Sequence, residues 1–385
     1  MPVKPTRRSA ARPGSRASPI PLLGVLLAGL AALLAGHALL WRWAGNRVEE
    51  GFAAWAQARR AAGWQVQHGP PERGGWPLAA TLRLPAFRLA GGGATLPGGM
   101  EWQAEAVVLR VALPRFDRLL VEAGGAQRLR LGVVEIPFAA DRLEAALPLE
   151  SGVLPREADL HAERLRLRAG TAAGAVEVER AAARVETSTT AIEGEPAVRL
   201  TLAAEGIAVP PPPPGSAAPP AGTPLPRRAE SLAAELVLTG PVPAGREPAA
   251  RAEAWREAGG TLELRGLTLR WGPVEAAAQA TLTLDEALQP MGAGTIRLSG
   301  IGPAIEALAA GGMVTPRGAL TARTVLGLLA RTPPEGGPAR VELPLTLEER
   351  TLTLGGRLQL LRFPPLAWAE GGGAGGAPAG PARPP

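Results

Sequence analysis

The chain has 385 residues, 46% of them hydrophobic, a net charge of +6 and no cysteine. There is enough apolar material for a large core, which excludes a disordered protein, and the missing thiols exclude disulfides, thiolate metal sites and cysteine nucleophiles. Lys4, Arg7, Arg8, Arg12 and Arg16 precede every acidic residue and carry most of the excess charge; the rest of the chain offers no basic face to phosphate, so nucleic acid is not an expected partner.

Residues 1–19 therefore read as a basic cytoplasmic tail. From Ile20 to Leu40 there is no Asp, Glu, Lys or Arg, and at about 1.5 Å per residue this stretch is about 31 Å long, the thickness of a bilayer's hydrocarbon core. A cleaved signal has a shorter apolar stretch and a small-x-small site after it. None follows Leu40, so the sequence predicts a signal-anchor helix over 20–43, with Trp41 and Trp43 at the membrane interface. His37 is tolerated inside the span. Five basic residues before the span, against Arg42 and Arg47 after it, place the N-terminus in the cytoplasm and the body in the periplasm, held by the inner membrane.

Asn46 is placed to cap a second helix in which Val48, Phe52, Trp55 and Ala62 share a face and which Gly63 ends. That helix would lie on the membrane surface or pack on the following sheet. From Trp64 the period changes to two, in segments around Thr81, Val107, Arg164, Val198, Glu235, Thr261, Thr281, Thr295 and Val341. Glycines and prolines separate these segments, so the expected fold is mainly β: a large antiparallel, curved sheet with a few short helices. Val209 to Pro226, with five consecutive prolines, reads as a linker (209–227) between a first β-rich half (44–208) and a second (228–369). A Pro-bearing break is expected at Pro241–Pro248. Ile305 and Leu308, then Leu320, Val325, Leu328 and Leu329, recur at helical spacing around Gly311–Gly312 and predict a helical hairpin within 303–330 that caps one face or end of the sheet. The Gly/Ala/Pro tail (370–385) is expected to be disordered.

No chemistry-bearing pattern emerges. His37, His68 and His161 are the only histidines, far apart and without the clustering a metal site needs. There is no G-x-S-x-G, no P-loop and no dinucleotide fingerprint. Asp117, Asp141, Asp159 and Asp285 could each meet a glutamate, but nothing selects a pair. The expectation is no enzyme, no catalytic residues, no metal and no cofactor. Trp64, Gly75, Trp76 and Pro77 read as a structural motif that starts the first sheet, a large ring filling the core before a residue of fixed φ; a place for Trp76 in a ligand groove or at the membrane is the alternative.

Gly63-Trp-Gln-Val-Gln-His-Gly through Gly75-Trp-Pro-Leu-Ala-Ala-Thr-Leu-Arg-Leu-Pro resembles the opening of the bacterial family known as domain of unknown function 2125. Trp271-Gly-Pro-Val-Glu-Ala, Thr281-Leu-Thr-Leu-Asp, Leu288-Gln-Pro and the closing Glu342-Leu-Pro-Leu-Thr-Leu-Glu-Glu-Arg-Thr-Leu-Thr-Leu extend the resemblance over most of Trp41 to Leu366. It implies a single-pass envelope protein and carries over no catalytic residue. More distantly, the Gly-Trp-Pro opening and the P-L-T-L ending are similar to those of AsmA-like proteins, whose curved sheets are associated with outer-membrane assembly and lipid transport.

Two functional readings follow. In one, the apolar face of a curved sheet beside the membrane takes up lipid or another hydrophobic ligand in envelope maintenance. In the other, the sheets pack on each other and the body is a structural or protein-interaction component of the envelope. The expected partners are the inner membrane and lipid or envelope proteins. The number of inward apolar side chains left uncovered separates the two.

Overall fold

The computed structural model describes residues 20–92, 99–132, 134–149, 156–168, 174–208, 226–243, 247–300, 339–356 and 358–366, with single positions and short pieces elsewhere. The basic tail, nearly all of the proline-rich linker and the Gly/Ala/Pro tail lie outside the described residues. So do Leu308, Gly311, Gly312, Val325, Leu328 and Leu329 of the expected hairpin; Ile305, Glu306, Gly318–Leu320, Arg323, Thr324 and Gly327 are helical.

The first element, α1, runs unbroken from Ile20 to Ala61. The expected break at Gly45–Asn46 is absent: a glycine inside a helix costs only about 1 kcal/mol, and Asn46 is not used as a cap. Its Oδ1 accepts instead from Arg73 Nη1 at 2.8 Å, and Arg73 also pairs with Glu49. Gly63 (φ 84°) ends the helix as expected. At about 1.5 Å per residue, 42 residues extend for about 63 Å. From Gly24 to Leu40 the helix is apolar and largely exposed; its second half lies on the sheet.

Two short strands, β1 (Gln65–Gln67) and β2 (Glu72–Gly74), pair with opposite ends of β3 (Ala79–Gly91) and together act as one interrupted edge strand. β4 (Met100–Ala112) and β5 (Arg118–Leu131) follow as hairpins. β6 (Val134–Ala139) and β7 (Arg142–Pro148) are again one interrupted strand, each pairing with its own part of β5 on one side and of β8 (Glu157–Leu167) on the other. The meander continues through β9 (Val176–Thr187), β10 (Pro196–Ala208), β11 (Arg228–Thr239), β12 (Leu262–Trp271), β13 (Val274–Leu284), β14 (Pro290–Ser299), β15 (Arg340–Glu348), β16 (Thr351–Leu354) and β17 (Leu358–Arg362). Every neighbouring pair is antiparallel, and the strands join in one 17-stranded sheet. β10 and β11 pair from Pro196–Thr239 to Ala208–Arg228, so the proline-rich segment joins two adjacent strands of one sheet. The break expected at Pro241–Pro248 instead leads into a second helix, α2 (Pro248–Glu257), with proline in its first turn, where the missing N–H costs nothing.

The alternation that defines the inner face is re-phased at a row of residues with positive φ. Ala86 on β3 (φ 48°) and Gly125 on β5 (φ 75°) flank Glu105 on β4: the ladder between β3 and β4 is interrupted there without a change of register, whereas that between β4 and β5 shifts by one residue, a bulge at Gly125. Further on, Arg164 on β8 (φ 48°) and Gly206 on β10 (φ 64°) flank Glu179 on β9, where the ladder is interrupted with the register unchanged. The interruption at Ala86 changes the parity of β3, so Leu82 and Leu84 before it and Phe87 after it are all buried on the inner face. At Gly125 and Gly206 the positive φ disfavours any side chain, and a Cβ would displace the side chains of Glu105 and Glu179.

The compact core sits where α1 meets the sheet. Ala56, Val66, Leu82, Leu84, Phe87, Ala104, Val107 and Leu109 are buried there, with Val48, Phe52 and Trp55 of α1 packed against them. On the opposite face, arginine and carboxylate side chains pair across strands, as in Arg110–Glu122, Arg184–Glu157, Arg180–Glu205 and Arg297–Glu342 at 2.6–3.4 Å. Exposed pairs of this kind add little stability each, but they keep that face wet.

Candidate functional site

Ala44, Val48, Phe52, Trp55 and Arg59 recur at helical spacing and turn one stripe of α1 toward the sheet. Opposite stand Leu84, Phe87 and Leu89 of β3, Trp102, Val107, Leu109 and Val111 of β4, Leu119 and Val121 of β5, and Leu147 of β7. The two walls enclose a groove of about 1040 Å³, at the upper end of the range of small-molecule sites. Trp43 and Phe116 mark one end, edge to face at 5.6 Å. Toward the other end Phe87 meets Trp102 at 5.5 Å. Trp102 Nε1 donates to Gln127 Oε1 (3.0 Å) and Gln127 Nε2 to the Ala123 carbonyl (3.3 Å), so the buried amide on this face is satisfied and the wall remains effectively apolar. Arg47, Glu50 and Arg59 form the charged rim; Arg47 and Glu50 pair at 3.5 Å and are well exposed.

The apolar surface does not end where α1 ends. In register, side by side across the sheet, stand Leu82, Leu109, Val121, Ala145, Leu160, Ala183, Leu202, Ala234, Leu267, Ala278, Ile296 and Leu343. No polar side chain interrupts this row from β3 to β15. Leu82 and Leu109 are buried under α1, and Leu343 is buried at the far side. Between them the row is only partly covered, and Leu202 keeps 38% of its surface. From β8 onward large and small residues largely alternate, which carves steps rather than a smooth wall. The result is a trough, roofed by α1 over β3–β5, partly covered in its middle and buried again at Leu343.

Glu101 lies on the wet face of β4. Arg88 and Arg130 each donate to it at 2.7 Å and Gln103 at 2.6 Å. These hydrogen bonds, that of Arg88 foremost, hold its carboxyl down to a pKa of about 2 against the slight opposing effect of burial. The three charged groups clamp β3, β4 and β5 together behind the groove.

The residues singled out in the sequence fall around the α1 end of this trough. Trp41 Nε1 donates to the Ala79 carbonyl at 2.9 Å. Trp64 lies flat on the backbone of Gly91 and Gly92. Gly75 (φ 88°) accepts from the Ala79 N–H at 2.9 Å, closing the turn that contains Pro77. Trp76 departs from expectation: its ring does not fill the core but stays 48% exposed, 5.0 Å from His37 and 5.8 Å from Trp41. Leu82 and Leu84 hold the core positions instead, because the turn places Trp76 beyond the end of the strand. Among the described residues no group of three or more His, Asp or Glu is arranged to hold a metal. The groove-lining Leu84, Phe87, Trp102 and Val121 were not marked by the sequence as a site. Of the two placements expected for the helix with Val48, Phe52 and Trp55, the structure shows packing on the sheet.

Among the described residues α1 is the one helix long and apolar enough to cross a membrane, and its apolar window is wholly unburied. No curated protein and no solved structure gives a significant match to the chain. A family model matches residues 41–364, from Trp41 at the foot of the groove to just beyond the last strand, and the chain belongs to that family, described as an uncharacterized protein conserved in bacteria (DUF2125).

Proposed function

We propose that this protein is a membrane-anchored, non-enzymatic lipid-binding protein of the bacterial envelope, with α1 spanning the inner membrane and the trough accepting acyl chains on the periplasmic side. The observation that carries this reading is the uninterrupted apolar row from Leu82 to Leu343, left half-covered in its middle. A sheet whose function is only to pack would bury that face; about 25 cal/mol per Å² of apolar surface is otherwise left unrealised in water. The chemistry of the walls selects methylene chains, since the buried polar side chain among their described residues, Gln127, is already bonded.

The test is mass spectrometry of lipids retained by the full chain purified in mild detergent, beside Leu202→Glu and Val121→Glu variants. Co-purified phospholipid in the parent and its loss in both variants are expected. Lipid-free parent protein, or retention unchanged by both charges, rejects the reading. A second reading, an interaction component of the envelope, is favoured by β17, where Leu358, Leu360 and Leu361 are 47–59% exposed on an edge with no further strand beyond it among the described residues.

A further inference from the structure

One end of the sheet is tied to α1 at a level that the helix itself defines. His37 lies inside the uncharged stretch Ile20–Leu40, its Nε2–H donates to the Pro77 carbonyl at 2.7 Å, and its ring is 5.0 Å from that of Trp76. A residue of the sheet that touches His37 stands at the depth of His37. When the apolar half of α1 is embedded, the Gly75–Leu78 turn is embedded with it. The composition of the turn suits that position: no charged residue occurs from Gly74 to Leu82, Trp76 is 48% exposed and Leu78 is 74% exposed, an amount of bare apolar surface that a turn in water does not need. The Leu113 N–H donates to the Leu78 carbonyl at 2.9 Å and brings the Leu113–Asp117 loop alongside. Phe116 of that loop touches Trp43 at one end of the groove. Arg115 of that loop, Arg118 at the start of β5 and Arg42 on α1 are exposed and have no ion-pair partner among the described residues; Asp117 is the acidic residue beside them. That balance suits an anionic headgroup layer.

We propose that the Gly75–Leu78 turn and the Leu113–Asp117 loop form a second membrane contact, which sets the Trp43–Phe116 end of the groove at the boundary between headgroups and acyl chains. The ligand is then a phospholipid of the same bilayer, entering sideways at the end of the groove that the Trp43–Phe116 pair marks, with the two rings parting to admit it. This inference rests on the anchor and groove readings above.

Because the chain has no cysteine, single labels can be placed without background. Full-length Leu78→Cys, Leu33→Cys in the apolar half of α1 and Leu358→Cys on β17 are each labelled with an environment-sensitive fluorophore. Each is reconstituted in vesicles of equal parts phosphatidylcholine and phosphatidylglycerol. The label at Leu78 is expected to be quenched by spin-labelled lipid and shielded from aqueous iodide, like that at Leu33 and unlike that at Leu358. A Leu78 label as open to iodide as the Leu358 label, with Leu33 still shielded, overturns the second contact and leaves the anchor standing. Iodide access at Leu33 as well removes the anchor and the proposal together. In the same vesicles a phospholipid with a photoreactive acyl chain should label the peptides containing Trp43 and Phe116 before the peptide containing Leu202; the reverse order overturns the sideways route.

Discussion

The indole N–H of Trp41 is donated to the main-chain carbonyl of Ala79, 2.9 Å away, joining the helix to the first long strand where the uncharged stretch of α1 gives out. Trp41→Phe keeps a ring against Trp76 and removes only the donor, so a loss of about 1 kcal/mol is expected. Trp41→Ala removes the packing as well and should cost more. Thermal unfolding of the full chain in detergent measures both, and a Trp41→Phe midpoint equal to that of the parent would refute the assignment of the hydrogen bond.

Leu84 is fully buried and Leu202 is 38% exposed, although both face inward. Leu84→Ala should cost about 2–5 kcal/mol, the usual range for emptying a packed core position. Leu202→Ala should cost about 1 kcal/mol or less, because part of that side chain is already in water. Denaturant midpoints compare them. Equal losses would mean that the middle of the trough is covered.

Glu101 gives the sheet a pH dependence of known sign. Its pKa in the folded chain is about 2, below the ordinary glutamate value of about 4.3, so its contribution is fully present above about pH 4.5 and disappears as the pH falls through about 2. With the exposed sides of Arg88 and Arg130 screened by water, that contribution is about 2 kcal/mol. Glu101→Gln should lower stability at pH 7 and flatten the stability curve between pH 4.5 and 2, as followed by urea unfolding at each pH.

Gly124 and Gly125 are neighbours with opposite tolerances. A Cβ at Gly124 meets nothing within 4 Å, whereas at Gly125 the φ of 75° and the Glu105 side chain both oppose it. Gly125→Ala should cost about 1–3 kcal/mol, and Gly124→Ala should be neutral or slightly stabilising through the unfolded chain. The difference between the two midpoints is the measurement; no difference would mean that the bulge relaxes freely.

The topology is tested with fusions after residue 60. An alkaline phosphatase there should be active and a cytoplasm-dependent fluorescent reporter dark. The opposite pattern would put the groove on the cytoplasmic side.

The strands that were legible in the sequence are those whose polar positions carry Arg, Glu or Thr, such as Thr281-Leu-Thr-Leu and Val341-Glu-Leu. β9 was harder to read because Ala181, Ala182 and Ala183 occupy both faces, and alanine is indifferent to which side is wet. β5 hid behind Gly124–Gly125, which looks like a turn signal and is a bulge within a continuous strand. α2 was masked by the prolines before it, the last of which begins the helix rather than preventing it. Packing of the Trp55 helix on the sheet was one expected alternative, but the lining of the groove was not legible: Trp55 and Val121 are 66 positions apart in sequence, and only the docking of α1 on the sheet brings their faces together. Trp76 was misplaced because the Gly-Trp-Pro spacing gives the turn, while the partner of the ring, His37, lies in the segment read as membrane.

The absence of a hinge at Gly45 has a mechanical meaning. A membrane span joined to its body by a flexible tether can lean without moving that body. Here the apolar half and the docked half are one continuous helix, fastened to the sheet by Trp41, Asn46 and Arg60. With α1 as the proposed anchor, its tilt, about 20° for an average span and larger in a thinner bilayer, becomes the tilt of the trough. Membrane thickness would then set the direction in which the open middle of the trough points, and the protein would report the state of its own bilayer as an angle.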